Sequence, residues 1–383
     1  MRLDRMGSMH QSRLSFLRQF LRRASKENWK FNRDLFEINA NGVGRALYRL
    51  STPLRDYTLI CFSHDLPDEM RSDRVIASAW DATFTLYDGK PTLDDLTRLE
   101  KHVPYQEEGR LTQNELCLSR ANRSVRLWDY VLDCLSNGNQ PDSDRVRDVG
   151  YLMRTTAVYG SGKFGSADRR VVENREEANS PFQLEMMTVY LIRTFVMDLI
   201  EYLAKIKNPD KAVKLDNFIR RSFGVGNSTG LGMAPFLVNH PRLIHNWFEA
   251  KENAIATVKN VQTATRVEIS RFLDLVSRLK PHLKAWQSEH PIQIEKNLVL
   301  GRDIKKLESK LENFNFDSQF PWRLLCDWSE TELSLEGQEM LNSLVLEPYG
   351  HLVDSFGDQM SCDEAILFPI DGEMTISNVK STI

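Results

Sequence analysis

The chain has 383 residues, 41% of them hydrophobic and 27% charged, with a formal net charge of −3 at pH 7. Those values match soluble globular domains and exclude disordered and fibrous classes, and the near-even charge gives no electrostatic pull toward nucleic acid. No run of about 18 apolar residues is present to span a bilayer, and the opening residues lack a signal-peptide core; Cys61, Cys117, Cys134, Cys326 and Cys362 form no CxxC pair, which fits a reducing, cytoplasmic compartment.

Residues 10–29 set Leu14, Phe16, Leu17, Phe20 and Leu21 among Arg13, Arg18, Arg22, Arg23 and Lys26, which predicts a basic amphipathic helix. Such a helix either makes a peripheral membrane or acidic-partner contact or packs on its own domain, its basic stems covering apolar surface. Three strands are expected at Gly42–Tyr48, Tyr57–Phe62 and Val75–Tyr87, antiparallel because their connections are short. Helices are expected over 92–101, 112–136, 143–159, 181–206 and 211–223, with Thr92 and Ser143 as caps. The stretch 242–280 contains neither Pro nor Gly and is opened by His240-Pro241. It predicts one long helix over about 241–280, or two joined near Thr265–Glu268 where the apolar stripe drifts; that length suits a homodimer seam. At the C-terminus Ala365–Ile370 and Glu373–Val379 flank Asp371-Gly372 as a hairpin, with Pro369 marking an edge strand.

The expected fold is α+β and predominantly α-helical: a helical domain with one long helix, plus a small antiparallel sheet. Its expected divisions are a basic N-terminal helix (1–40), the sheet (41–90), the main helical domain (91–286), and C-terminal helices with the hairpin (287–383).

Glycine placement carries the functional signal. Gly160, Gly162 and Gly165 fall in one short window and Gly224, Gly226, Gly230 and Gly232 in another, whereas 166–223 and 233–300 hold none. Clustering of this kind marks places where the backbone turns through positive φ or approaches a ligand closely. The first window, Gly160-Ser161-Gly162-Lys163-Phe164-Gly165, matches G-x-G-x-x-G, but a dinucleotide site needs a preceding strand and 143–159 reads as helix. A phosphate loop is also excluded, since Ala157 stands in for the first glycine and Phe164 for the magnesium-binding hydroxyl. In the second window Asn227, Ser228 and Thr229 join the free amides of Gly226 and Gly230 in an anion cradle.

Lys163 and Arg169 supply cations near the first window, and His240, His245 and, less directly, Tyr159 are the groups suited to proton transfer. Arg120, Arg123 and Arg126 recur every third residue, as on one side of a helix, where they make a solvated or ion-paired face or, through Arg120 and Arg123, a guanidinium clamp on an anionic substrate. His245 and Glu249 share a helix face but have no third ligand nearby, and adjacent Ser63-His64-Asp65 cannot form a triad from a strand. No metal is assigned and the cofactor stays open. These residues point to an enzyme that acts on a small phosphorylated or carboxylated metabolite by acid/base chemistry of the lyase or isomerase type. The other readings are a nicotinamide-dependent oxidoreductase using Gly160–Gly165 and a non-enzymatic helical scaffold. The expected partners are a small anion and a second copy of the chain, without nucleic acid.

Overall fold

The computed structural model describes residues 13–14, 16–71, 79–156, 172, 174–178, 183–223, 241–285 and 291–359. It divides into two compact units, Gln19–Ser228 and Met1–Arg18 with Thr229–Ile383. The fold is α+β with a helical majority. Among the described residues no helix is long and apolar enough to cross a membrane.

In the first unit six strands follow one another in sheet order, every pair antiparallel: β1 (Lys30–Ile38), β2 (Gly44–Ser51), β3 (Asp56–Ser63), β4 (Ala82–Asp88), β5 (Glu115–Arg123) and β6 (Met153–Thr156). Three of these were expected; β1, β5 and β6 were not, and they make the sheet larger than predicted. Helix α1 (Phe16–Lys26) enters it, with Phe20 packed on Trp29 and Tyr190. Leu14, Leu17, Phe20 and Ala24 of this N-terminal segment are buried.

Helix α2 (Leu93–His102) is capped by Thr92, as predicted, and lays Leu96 and Leu99 against Ile60, Phe62 and Tyr87 on one sheet face. Helices α3 (Trp128–Ser136) and α4 (Ser143–Val149) come next; Asp142, one residue before the predicted cap, accepts the first α4 amides. The helices expected over 112–136 and 143–159 are thus each part strand. Gly150, left-handed at φ 77°, ends α4 and turns the chain into β6. The long helix α5 (Gln183–Lys207) covers the other sheet face, where Phe195 meets Tyr48 and Phe84 edge-on. Its N-terminal half lies by Phe31 and its C-terminal half by Phe36 and Ile38, through Tyr190 and Tyr202. Short α6 (Asn217–Ser222) closes the unit.

The second unit is helical: α7 (Pro241–Lys259), α8 (Arg266–Ser277), α9 (Leu279–Ala285), α10 (Pro291–Glu312), α11 (Pro321–Glu332), α12 (Leu335–Leu346) and α13 (Gly350–Val353). The stretch expected as one long helix over about 241–280, or two joined near Thr265–Glu268, is the two helices α7 and α8, with α9 starting at Leu279. The apolar stripe holds within each piece, since Ala250, Ala254, Val258, Phe272, Val276 and Leu279 are buried. It breaks because Thr265 and Glu268 form a reciprocal capping box that starts α8 afresh. The loop before it is fixed by Phe320, whose amide donates to the Gln262 carbonyl. Phe272, Trp322 and Tyr349 stack as the aromatic centre, and the Tyr349 hydroxyl donates to Glu268. Arg13 and Arg18 bind Asp354 and Glu347 in this unit. The predicted C-terminal hairpin lies outside the described residues.

Candidate functional site

Arg120 and Arg123 stand on strand β5, not on a helix. Glu115–Arg123 is covered on both faces, so its small and apolar residues run almost without a break and hide the two-residue period. On a strand a three-residue spacing sends side chains to opposite faces. Arg120 lies over Trp80 with 4.1 Å to the ring centre, Arg123 over Trp128 at 5.1 Å. They cannot form one clamp. Arg126, beyond the strand, donates to the Tyr151 hydroxyl.

Two buried polar clusters close the two ends of the sheet. At the end where β3 leaves and β4 begins, the fully buried Asp81 is paired through both oxygens: Oδ1 accepts from Arg71 Nε at 3.1 Å, and Oδ2 from the Arg123 amide at 2.9 Å. Asn122 accepts from the Asp81 amide, and Asp65 takes up the second Arg71 nitrogen and Arg123 Nη1. Arg123 Nη2 sits against the β1–β2 turn, where Gly42 has φ +81° and a Cβ would lie 3.0 Å away. This cluster is packed shut. Ser63, His64 and Asp65 do not assemble there as a triad, for the Ser63 hydroxyl and His64 Nε2 are each buried without a partner.

At the opposite end, where β4 leaves and β3 begins, the Tyr57 hydroxyl donates to Glu177 Oε1 at 2.7 Å and Arg175 Nη2 to Asp88 Oδ2 at 2.6 Å. Tyr57 is fully buried, Glu177 is 2% exposed and Arg175 8%. Burial and the bond to Glu177 push the Tyr57 phenol well above its ordinary range. Glu177 Oε2 and Arg175 Nη1 are buried and make no hydrogen bond, and neither does Nε2 of Gln183, the first residue of α5. Glu177 is thus oriented through one oxygen and left bare at the other, while Arg175, paired with Asp88 and drawn to the Tyr57 phenol, keeps Nη1 without a hydrogen bond. An unmade buried hydrogen bond costs about 1–3 kcal/mol, so three at one end of a sheet call for an account.

The glycine windows meet this framework at their margins. Strand β6 begins opposite Arg123 and ends with Thr156 opposite Arg120, so the chain leaves it running toward the Tyr57–Asp88 end. It re-enters the described structure at Val172 and Arg175–Ala178, at that same end. The second window is entered from Phe223, whose carbonyl accepts from Arg193 on α5. Burial lowers the Arg193 guanidinium to about 10.

Of the predicted site residues, Tyr159, Lys163, Arg169, Gly226, Asn227, Ser228, Thr229, Gly230 and His240 lie outside the described residues. His245 falls in the second turn of α7. Tyr57, Asp88, Arg175 and Glu177 were missed. Only the acidic and basic residues after the first window, Arg175-Glu176-Glu177, hinted at them.

Among the described residues no group of three or more His, Cys, Asp or Glu side chains is placed to hold a metal ion. A shallow groove along α8, lined by Arg266, Ile269, Ser270, Leu273, Asp274 and Ser277, comes from one helix face alone. Comparison of the chain with protein-family models, curated proteins and solved structures finds no match.

Proposed function

We propose that the protein binds a small phosphorylated or carboxylated metabolite and acts on it by acid/base chemistry. Lys163, Arg169, Asn227 and Ser228 hold the anion, with Tyr159 as the group for proton transfer. The carrying observation is where the first window joins the sheet. Its segment departs beside Arg120 and returns at Arg175, a buried guanidinium with a bare N–H at the Tyr57–Asp88 end. The bare Nη1–H of this guanidinium, already paired with Asp88 through Nη2, can take a further anionic oxygen. The second window likewise starts beside an arginine, Arg193.

The nicotinamide reading needs a strand before Gly160, and β6 is one; but the dinucleotide fingerprint follows a strand of a parallel βαβ unit, and β6 pairs antiparallel. Small-anion chemistry therefore has the better support.

Thermal unfolding with inorganic phosphate, glycerol 3-phosphate, succinate and malate is the test. A ligand specific for the native state raises the midpoint, by about 2.7 kcal/mol of stability at a hundredfold excess over Kd. Gly226→Ala and Lys163→Gln are expected to abolish that shift while moving the ligand-free midpoint little. A wild-type protein unmoved by all four compounds, or variants with an undiminished shift, would overturn the reading.

A further inference from the structure

The geometry points to a binding site at the Tyr57–Asp88 end of the sheet for an anion that also carries a hydroxyl group, with Arg175 Nη1 donating to the anionic oxygen and Glu177 Oε2 accepting from the hydroxyl. This deepens the small-anion reading and rests on it for the charge of the ligand.

Three features carry the assignment. The first is complementarity: Arg175 offers an N–H and Glu177 a carboxylate oxygen, both buried and both without a partner. A simple anion satisfies the first and repels the second. A solute with an anionic oxygen and a neighbouring O–H satisfies both.

The second feature is that both groups are held in place. Asp88 fixes the guanidinium through Nη2, and Tyr57 fixes the carboxylate through Oε1. Arg55 Nε, 3.5 Å from Oε1, adds positive charge on the side already in use. Groups locked through one atom lose little freedom when the other atom binds. The third feature is Gln183, whose amide nitrogen supplies another bare buried donor at the start of α5.

The Asp81 cluster at the far end differs in its carboxylate, which is satisfied at both oxygens, although Nε and Nη2 of Arg123 are also buried there without a hydrogen bond, Nη2 against the Gly42 turn. In ligand chemistry, Glu177 is placed to accept a hydroxyl proton and Tyr57 to stabilise the carboxylate through the opposite oxygen.

Isothermal titration of the full-length protein with two matched pairs tests this: malate against succinate, and glycerol 3-phosphate against propyl phosphate. In at least one pair the hydroxylated member is expected to bind tenfold or more tightly. Glu177→Gln keeps an acceptor for Tyr57 but presents an NH2 group where Oε2 was, and is expected to erase that preference. Arg175→Gln is expected to weaken both members of the pair at least tenfold. Arg175→Lys, which keeps a cation beside Asp88 and loses the planar fork, serves if the glutamine variant does not fold.

No preference in either pair for the wild-type protein, or a preference that survives Glu177→Gln, overturns the assignment. The two proposals fail separately. If Lys163→Gln and Gly226→Ala weaken binding while the Glu177 and Arg175 variants do not, the loops hold the anion and this site is wrong. The reverse pattern keeps this site and removes the loops.

Discussion

His64 illustrates how one side chain couples the sheet to pH. Its Nε2 is buried without a partner, and burial lowers its pKa against the opposing pull of Glu100 and Asp81. The unfolded chain therefore takes up a proton at a higher pH than the native one. Stability on this account is complete above about pH 6.5, the ordinary histidine value, and falls as pH drops through it toward the lowered native pKa. Replacing His64 by Gln is expected to flatten this part of a urea midpoint-against-pH curve between pH 7 and 5. An unchanged slope would show that other groups dominate.

Gly337 makes an opposite kind of case, in which space and not charge decides. Alanine there gains helix propensity of about 1 kcal/mol at most. Its Cβ, however, would stand 2.5 Å from Asp303 Oδ2 and 2.8 Å from Cγ. Asp303 is buried and takes both the Ser334 amide and hydroxyl, so it has nowhere to swing. Overpacking costs about 1–3 kcal/mol, and Gly337→Ala is expected to lower the urea midpoint despite its better propensity.

At the level of elements, the same local chemistry succeeds or fails according to what surrounds it. Thr265 with Glu268 interrupts the long apolar stripe, and Glu268 also receives the Tyr349 hydroxyl, so one carboxylate serves a helix start and the aromatic centre. Thr265→Ala is expected to cost about 1 kcal/mol, the usual worth of an N-cap, with α8 amides exchanging faster by hydrogen–deuterium mass spectrometry and the strands unaffected. Strand β1 was overlooked because its sequence is charged and carries an irregularity between Arg33 and Leu35. Its charges are matched across the ladder, Arg45 with Glu37 and Arg49 with Asp34. Charged residues of this kind are what an exposed edge strand uses to discourage further pairing. Strand β6, four residues long, is too short to show any period.

Over the whole molecule the two units have separate aromatic centres, Phe195 among Tyr48 and Phe84 in one, Phe272 and Trp322 with Tyr349 in the other. Truncating a buried phenylalanine to alanine costs about 3–5 kcal/mol. Phe195→Ala is expected to deprotect the amides of β2, β3 and β4 most, and Phe272→Ala those of α8, α11 and α12. Equal deprotection of both units by either substitution would mean that they unfold as one cooperative body.

The sequence by itself determined the composition class, the helical majority, the antiparallel pairing of β2, β3 and β4, the Thr92 cap and the apolar stripe on both sides of Thr265. All of these follow from spacings of a few residues, where side-chain period and turn chemistry act directly on the backbone. Tertiary structure decided that Arg120 and Arg123 part to opposite sheet faces, because burial on both faces erased the alternation that would have identified the strand. It also decided the candidate ligand site. Tyr57 and Glu177 are 120 residues apart and Asp88 and Arg175 87. They meet because β3 starts where β4 ends and the chain returns to that end before α5 begins. No local period encodes such a meeting; it exists only once the sheet has formed.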